Sequence, residues 1–172
     1  MSVENGQVGP EETEISAFWE VAKRHAQLGD LPGYFGASPL EALQPPAWAF
    51  GGTPEQADGL LDLVLEGTKT GTASALWDYE VTGEPVPEEG ALSIVLDGRG
   101  HPRALLVSHD VRVVPFDEVD EEHAYAEGEG DRSLAQWREV HERFFTTYAD
   151  HDRGFSPDMP VVVERFKVVY KN

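Results

Sequence analysis

The sequence predicts an α+β fold: a compact, largely antiparallel sheet closed into a small barrel, with helices at one side or end. Two observations carry this. Three strand-like segments, Thr72–Trp77, Ala91–Leu96 and Arg103–Val114, follow one another across the turn-rich stretches GEPVPEEG and DGRGHP, as consecutive antiparallel strands do. Helical apolar periodicity flanks them, and the chain closes on a β-branched and aromatic run, Val161–Tyr170, that reads as a strand returning to the sheet.

Taken in order, residues 1–12 are polar, acidic and glycine-bearing and read as a loose arm; residues 13–47 read as an N-terminal helix and a proline-rich strap, and residues 48–172 as the main domain. From Glu14, the apolar residues Ile15, Phe18, Trp19, Ala22 and Ala26 recur at steps of three and four, one face of a helix ending near Gly29. The strap, Gly29 to Gly52, carries Pro32, Pro39, Pro45 and Pro46 with scattered aromatics that pin it down. Thr53-Pro54-Glu55-Gln56 is a helix start, with Thr as N-cap, Pro at the first helical position and Gln closing a capping box. Leu60, Leu61, Val64 and Leu65 form its buried stripe, and Gly67 is placed to end it in the left-handed conformation. A short acidic helix is expected over Glu118–Tyr125 and a longer one from Ser133, with Leu134, Trp137, His141, Phe144, Phe145 and Tyr148 along one side.

Composition narrows the function. The 172 residues hold 13 Lys+Arg against 32 Asp+Glu, a net charge of −19, which repels nucleic acid at long range and argues against generic coating of DNA or RNA. No Cys is present, so disulfides, thiolate nucleophiles and sulfur-ligated zinc are excluded. That composition, the lack of an apolar run near the roughly 18 residues of a membrane span, and a start without signal-peptide order lead us to expect a soluble cytoplasmic protein.

From His25 to Gly98 the sequence holds one Lys or Arg, Lys69, among 12 Asp or Glu. It lies just past a helix C-terminus in Gly67-Thr68-Lys69-Thr70-Gly71-Thr72-Ala73-Ser74, among small residues that let a ligand or backbone come close. One reading makes it a functional cation; the other makes it a partner of the helix dipole, worth about 0.3–1 kcal/mol. A second cluster, Glu127-Gly128-Glu129-Gly130-Asp131, alternates carboxylates with glycine. In an extended segment these side chains share a face, so the three converge to raise one another's pKa or to hold a divalent cation. The alternative is a solvated loop in which Asp131 or Ser133 caps the next helix, with Gln136 closing a box to Ser133. His141 reads first as a hydrogen-bonded core residue, with a metal or catalytic role as the lesser alternative. P-loop, G-x-S-x-G, H-E-x-x-H and dinucleotide-binding signatures are missing.

Together these motifs resemble the ASCH family: G-x-K-x-x-T over Gly67–Thr72, GE-x-x-P over Gly83–Pro87 with Gly90 opening a strand, and EGEGD-x-S-L-x-x-W-R-x-x-H ending at His141. The resemblance spans roughly Trp48 to Tyr170, and the segment before it looks like the extension of longer bacterial members. It implies a PUA-like β-barrel, a cleft walled by the Lys-bearing turn and the acidic segment, and a link to RNA. Two activities are known in the family: metal-assisted ribonuclease activity, and deacylation of N4-acylated cytidine nucleosides by a Lys, Thr and Glu triad. Carried over, the triad is Lys69, Thr72 and Glu129, with a slip to Glu127 left open. Thr70, Ser74, Glu127 and Arg138 are expected around the substrate; Trp77, Tyr79 and Trp137 are candidates to stack on a base, with a place in the core as the more ordinary reading of each.

For deacylation, a neutral Lys69 amine, favoured in a water-poor cleft, takes the proton of the Thr72 hydroxyl or of a water, and Glu129 protonates the leaving nitrogen; no cofactor is required. For RNA cleavage, Lys69 stays charged and Glu127, Glu129 and Asp131 hold Mg²⁺ or Mn²⁺. The charge of −19 suits a small modified nucleoside, whereas the long-form motif is closer to the ribonuclease-type members. The sequence is thus read as a hydrolase of RNA or RNA-derived substrates, with ribonuclease-type cleavage of single-stranded RNA first, N4-acylcytidine hydrolysis second, and a non-catalytic module binding RNA or a modified base third.

Overall fold

The computed structural model describes residues 10–26 and 44–172. Most of the expected arm and of the proline strap lies outside the described residues. Along the chain run α1 (Pro10–His25), β1 (Ala47–Trp48), α2 (Pro54–Glu66), β2 (Gly71–Ala75), α3 (Leu76–Thr82), β3 (Leu92–Leu96), β4 (Pro102–Pro115), a 3₁₀ turn (Phe116–Glu118), α4 (Glu121–Glu127), α5 (Leu134–Thr147) and β5 (Pro160–Lys171).

The α+β class holds, in a five-stranded sheet of order β1-β3-β4-β5-β2. The sheet is open: among the described residues no ladder joins β1 to β2, so "barrel" describes it only loosely. β1 runs parallel to β3 and every other pair is antiparallel. The long β4–β5 ladder, from Ala104 opposite Lys171 to Pro115 opposite Pro160, is the spine of the molecule. β3 and the first half of β4 are covered on both faces, which explains their near-continuous apolar runs. Ile94 and Leu105 point to α1, where Phe18, Trp19 and Ala22 meet them. Val95, Ala104 and Leu106 point to the other face, where α2 brings Leu61 and Val64, and Phe50 and Phe166 complete the cluster. A third cluster joins α4 and α5 to the β5–β2 end through Ala124, Trp137, Phe145, Val161 and Val163.

Three differences from the sequence expectation have simple causes. α1 begins at Pro10, earlier than Glu14, because Pro is tolerated in the first helical turn and Glu11 and Glu12 suit the positive end of the helix dipole. The strand expected over Thr72–Trp77 stops at Ala75, and Leu76–Thr82 forms the short α3, ended by Gly83 at φ 74°. That helix carries the chain away from its neighbour, so β2 pairs with β5, Thr72 opposite Glu164, and not with the strand that follows it. The two positions that matter most for the site are as expected. Thr53 Oγ1 accepts from the Gln56 amide, and Gly67, at φ 85°, lets its amide close α2 on the Leu63 and Val64 carbonyls.

Candidate functional site

The site is built where two segments remote in sequence meet. At the end of α2 the amides of Thr68 and Lys69 both donate to Leu63 O, 3.0 Å each, which turns the chain sharply and aims the Lys69 side chain inward. The Thr70 amide (2.7 Å) and hydroxyl (3.2 Å) both donate to Ala126 O, near the end of α4. Gly128 ends α4 at φ 70°, and a Cβ there would lie 2.5 Å from Thr68 O, so only glycine allows this approach. Arg132 bolts the two together, donating through Nε to Tyr125 O (2.8 Å) and through Nη2 to Thr68 O (3.3 Å).

Lys69 is 2% exposed. Its Nζ lies 2.8 Å from Gly71 O, 3.1 Å from Glu129 Oε2, and 3.4 Å from both Glu127 Oε1 and Glu127 O. Each of these is an acceptor, so the ammonium form finds a partner for every proton. The Phe50 ring, 5.3 Å from Nζ, covers it from the side of α2.

Glu127, completely buried, is the hub. Oε1 faces Lys69 Nζ and His141 Nε2, each at 3.4 Å, while Oε2 accepts from His123 Nε2 at 2.8 Å and from Trp137 Nε1. Burial alone would raise this carboxyl's pKa, but the charges of Lys69 and His141 and the hydrogen bonds from His123 and His141 outweigh it and hold the group well below the usual range. His141 moves the other way: burial would lower its pKa, and the charge and hydrogen bond of Glu127, with Glu129 and the Trp137 carbonyl, raise it instead. Glu129 stands at the edge, with 28% of its side chain exposed.

These groups open onto a pocket of about 520 Å³ lined by Lys69, Thr72, Glu127, Glu129 and His141 on one side and by Phe50, Phe144 and Tyr148 on the other. Lys69, Thr72, Glu127 and Glu129 are therefore brought together. The expected convergence of Asp131 is corrected: Gly128 and Gly130, both at positive φ, break the alternation that an extended segment would keep. Asp131 instead faces solvent and accepts from the Ser133 amide at 2.8 Å, and its hydrogen bonds to Ser133 lower its pKa. Ser133 caps α5 through the Gln136 amide, whose side chain accepts from the Asp131 amide.

Trp137 is also placed differently from a base-stacking residue. It is buried beneath Glu127 and stacked on the His141 ring at 4.2 Å, with no face left for a base. Trp77 meets His151 edge-on and lies beneath the Arg153 guanidinium. Ser74 and Tyr79 hydrogen-bond each other at 2.9 Å, burial raising the tyrosine pKa, and Arg138 is exposed, donating to Asp117 O. Thr70 is used in the stitch to α4.

The residues the sequence reading missed are His123, Phe50 and Tyr148. His123 had a signal, its position four residues before Glu127 on one helix; Phe50 fell inside the expected strap.

Of the expected metal set, Glu127 and Glu129 converge and Asp131 stands apart. Without Asp131, one donor atom each from Glu127, Glu129 and His141 lie within 4.8 Å of one another. The Lys69 ammonium stands beside the same two carboxylates, 3.4 Å from Glu127 Oε1 and 3.1 Å from Glu129 Oε2, so a divalent cation such as Mg²⁺ or Mn²⁺ would compete with it for them.

The ASCH domain family matches residues 46–170. Among solved structures, the chain is similar to a DUF984-family protein from Enterococcus faecalis V583, with 31% identity over 91% of this chain and 88% of that one and a TM-score of 0.72. It is also similar to an ASCH domain from Lactobacillus crispatus JV V101, with 29% identity over 92% of this chain and 96% of that one and a TM-score of 0.72. No curated protein matches.

Proposed function

The chain belongs to the ASCH domain family, a PUA-like RNA-binding fold, and on that premise we propose that it is a hydrolase of RNA-derived substrates whose pocket takes one nucleoside unit and whose reaction is the hydrolysis of an N4-acylated cytidine. The observation that carries this reading is the Lys69 ammonium, held 3.1 Å from Glu129 Oε2 at the wall of a pocket of about 520 Å³ that Thr72 also lines. That volume lies in the range of small-molecule sites, roughly 300–1,000 Å³.

Charge orders the two reactions. Two carboxylates already compensate Lys69, so a phosphodiester would enter without net positive charge to receive it, whereas an acylated base arrives neutral. This reverses the order drawn from the long-form motif. Because Lys69 is surrounded by acceptors, its part is electrostatic: it stabilises the oxyanion that forms on the acyl carbon. Glu129, partly exposed and at the pocket edge, takes the proton of the attacking oxygen, that of Thr72 or of a water it holds. Glu127 has its oxygens occupied by four donors and holds Lys69 in place.

A second reading, metal-independent cleavage of single-stranded RNA, is favoured by one observation. A groove of about 660 Å³ adjoins the pocket across Lys69 and Thr70 and carries Lys167 and Lys171, a short basic track in an acidic protein.

The test is mass spectrometry of purified protein incubated with N4-acylated cytidines and short RNAs, with and without chelator. Chelator-resistant release of cytidine supports the first reading. RNA fragments without deacylation support the second, and saturable RNA binding with no product moves the protein to a binding module.

A further inference from the structure

The hydrolysis just described lacks a proton donor for the leaving nitrogen, since Lys69 is held by acceptors and Glu129 serves as base. His141 was read from sequence as core, and its surroundings say more. Its Nδ1 lies 2.8 Å from Trp137 O, and a carbonyl only accepts, so Nδ1 carries a hydrogen. Its Nε2 lies 3.4 Å from Glu127 Oε1. A bare Nε2 lone pair there would face a carboxylate, so this placement favours a hydrogen on Nε2 as well, in keeping with the raised pKa of the ring. His123 contrasts with it: its Nε2 donates to Glu127, while its buried Nδ1 has no partner among the described residues.

We infer that His141 is a catalytic acid of this site, delivering its Nε2 proton to the leaving nitrogen; this rests on the hydrolase reading above. The ring lines the pocket with Lys69, Thr72 and Glu129. Stacking on Trp137 and the edge of Phe145 fix its plane. The Nδ1 hydrogen is tied to the backbone by a short bond, whereas Nε2 meets Glu127 at the limit of hydrogen-bond length and holds the proton that can leave. For a water held by Thr72, the step balances: the water oxygen bonds to the acyl carbon as its proton passes to Glu129. The C–N bond then breaks, and the nitrogen departs with the His141 proton. The proton on Glu129 finally returns to His141, whose donor atom lies within 4.8 Å of a Glu129 oxygen, and one water has been consumed.

The titratable and charged groups facing His141 are Glu127 from α4, Glu129 from the segment after it and Lys69 from the α2–β2 turn, with Arg143 and Tyr148 of α5 also lining the pocket. Burial would favour the neutral ring, but Glu127, Glu129 and the Trp137 carbonyl outweigh it and favour the protonated one. Activity should accordingly persist to higher pH than an ordinary histidine (about 6.5) allows and fall as pH rises through the elevated value.

The experiment combines two measurements. Histidine Cε1–H signals of the wild-type protein are followed by NMR across pH, and pH profiles of kcat and KM are taken on N4-acetylcytidine for wild type and His141→Gln. The inference expects His141 to titrate above the ordinary histidine value. It also expects kcat of the variant to fall by about 10²–10⁴, with KM within a few-fold and the basic limb of the profile gone. A variant that keeps that limb, or loses less than threefold in kcat while wild type is active, overturns the acid assignment alone, as does a His141 titration below the ordinary value. Wild type inactive on every acylcytidine overturns the hydrolase reading and the assignment with it. Where the variant does not fold, the wild-type titration and the wild-type basic limb decide, and the inference requires that their midpoints coincide.

Discussion

Replacing Lys69 by Met removes the charge while leaving an unbranched chain of similar length beside Phe50. Breaking a buried ion pair by deleting one partner typically costs about 3–5 kcal/mol, because the other charge is left behind without compensation. Glu127 would keep His123, Trp137 and His141 as donors, which places Lys69→Met near the lower end, about 3 kcal/mol. For a chain of this size each kcal/mol shifts Tm by roughly 2–4 °C, so the expected drop is about 6–12 °C at pH 7. The pH dependence adds a second check. In the wild type the Glu127 carboxyl is held well below its ordinary value, so its stabilisation is full above the unfolded value of about 4.3 and is lost as pH falls through the folded one. Without Lys69 the folded value rises, and the gap between variant and wild type should narrow on acidification. Differential scanning calorimetry of both proteins between about pH 2 and about pH 8 measures this. A Tm change under about 2 °C at pH 7, or a gap that stays constant across pH, would refute the view that Lys69 and Glu127 form a buried pair.

Glu129→Gln should lower hydrolysis by about 10²–10⁴ with little change in Tm, whereas Glu88→Gln and Glu89→Gln, at exposed turn positions, should leave turnover intact; equal small effects at all three would reduce the acidic segment to a loop. Gly128→Ala should destabilise the protein more than Gly67→Ala in urea titrations. Both residues have positive φ, an intrinsic cost of about 1–2 kcal/mol, but only at Gly128 would the new Cβ strike backbone, at 2.5 Å from Thr68 O. His141→Gln should flatten the stability profile at higher pH: the raised group stabilises below about pH 6.5 and loses that contribution as pH rises through its folded value, so the wild-type Tm should fall there and the variant's should not. Deacylation should be indifferent to chelator and nearly so to salt, while any RNA binding in the groove carrying Lys167 and Lys171 should weaken steeply with ionic strength.

Local rules made most elements legible. The Thr53 cap, Pro54 and Gly67 specify α2 without tertiary help, and the apolar runs of β3 and β4 follow from burial on both faces. Less legible were features whose cause is long-range. Nothing in Leu76–Thr82 marks a helix, as its first turn lacks a side-chain cap, and the β2–β5 pairing depends on where that helix sends the chain. At the site, the isolation of Lys69 among acids was visible. The choice between Asp131 and His141 as third neighbour of the two glutamates was not, because it turns on the positive φ of Gly128 and Gly130, and glycine spacing alone does not fix φ.

The arrangement is poorly explained as a device for stability. A buried lysine, a buried glutamate and a buried histidine replaced together by apolar groups of the same shape would usually leave a protein as stable or more so, and the surrounding core of Phe50, Trp137 and Phe145 would accept such a change. Here the network is built around saturation of one carboxylate. Glu127 offers about four lone-pair positions and meets four donors, from Lys69, His123, Trp137 and His141. On the proposed hydrolase reading, its role is the anchor that sets Lys69 and His141 in place. Glu129 reaches the same ammonium from the pocket edge with one oxygen, so in the proposed reaction the second glutamate of the EGEGD run is the one that exchanges protons with a ligand. The two glutamates stand two residues apart, and the glycine between them separates anchor from reactant.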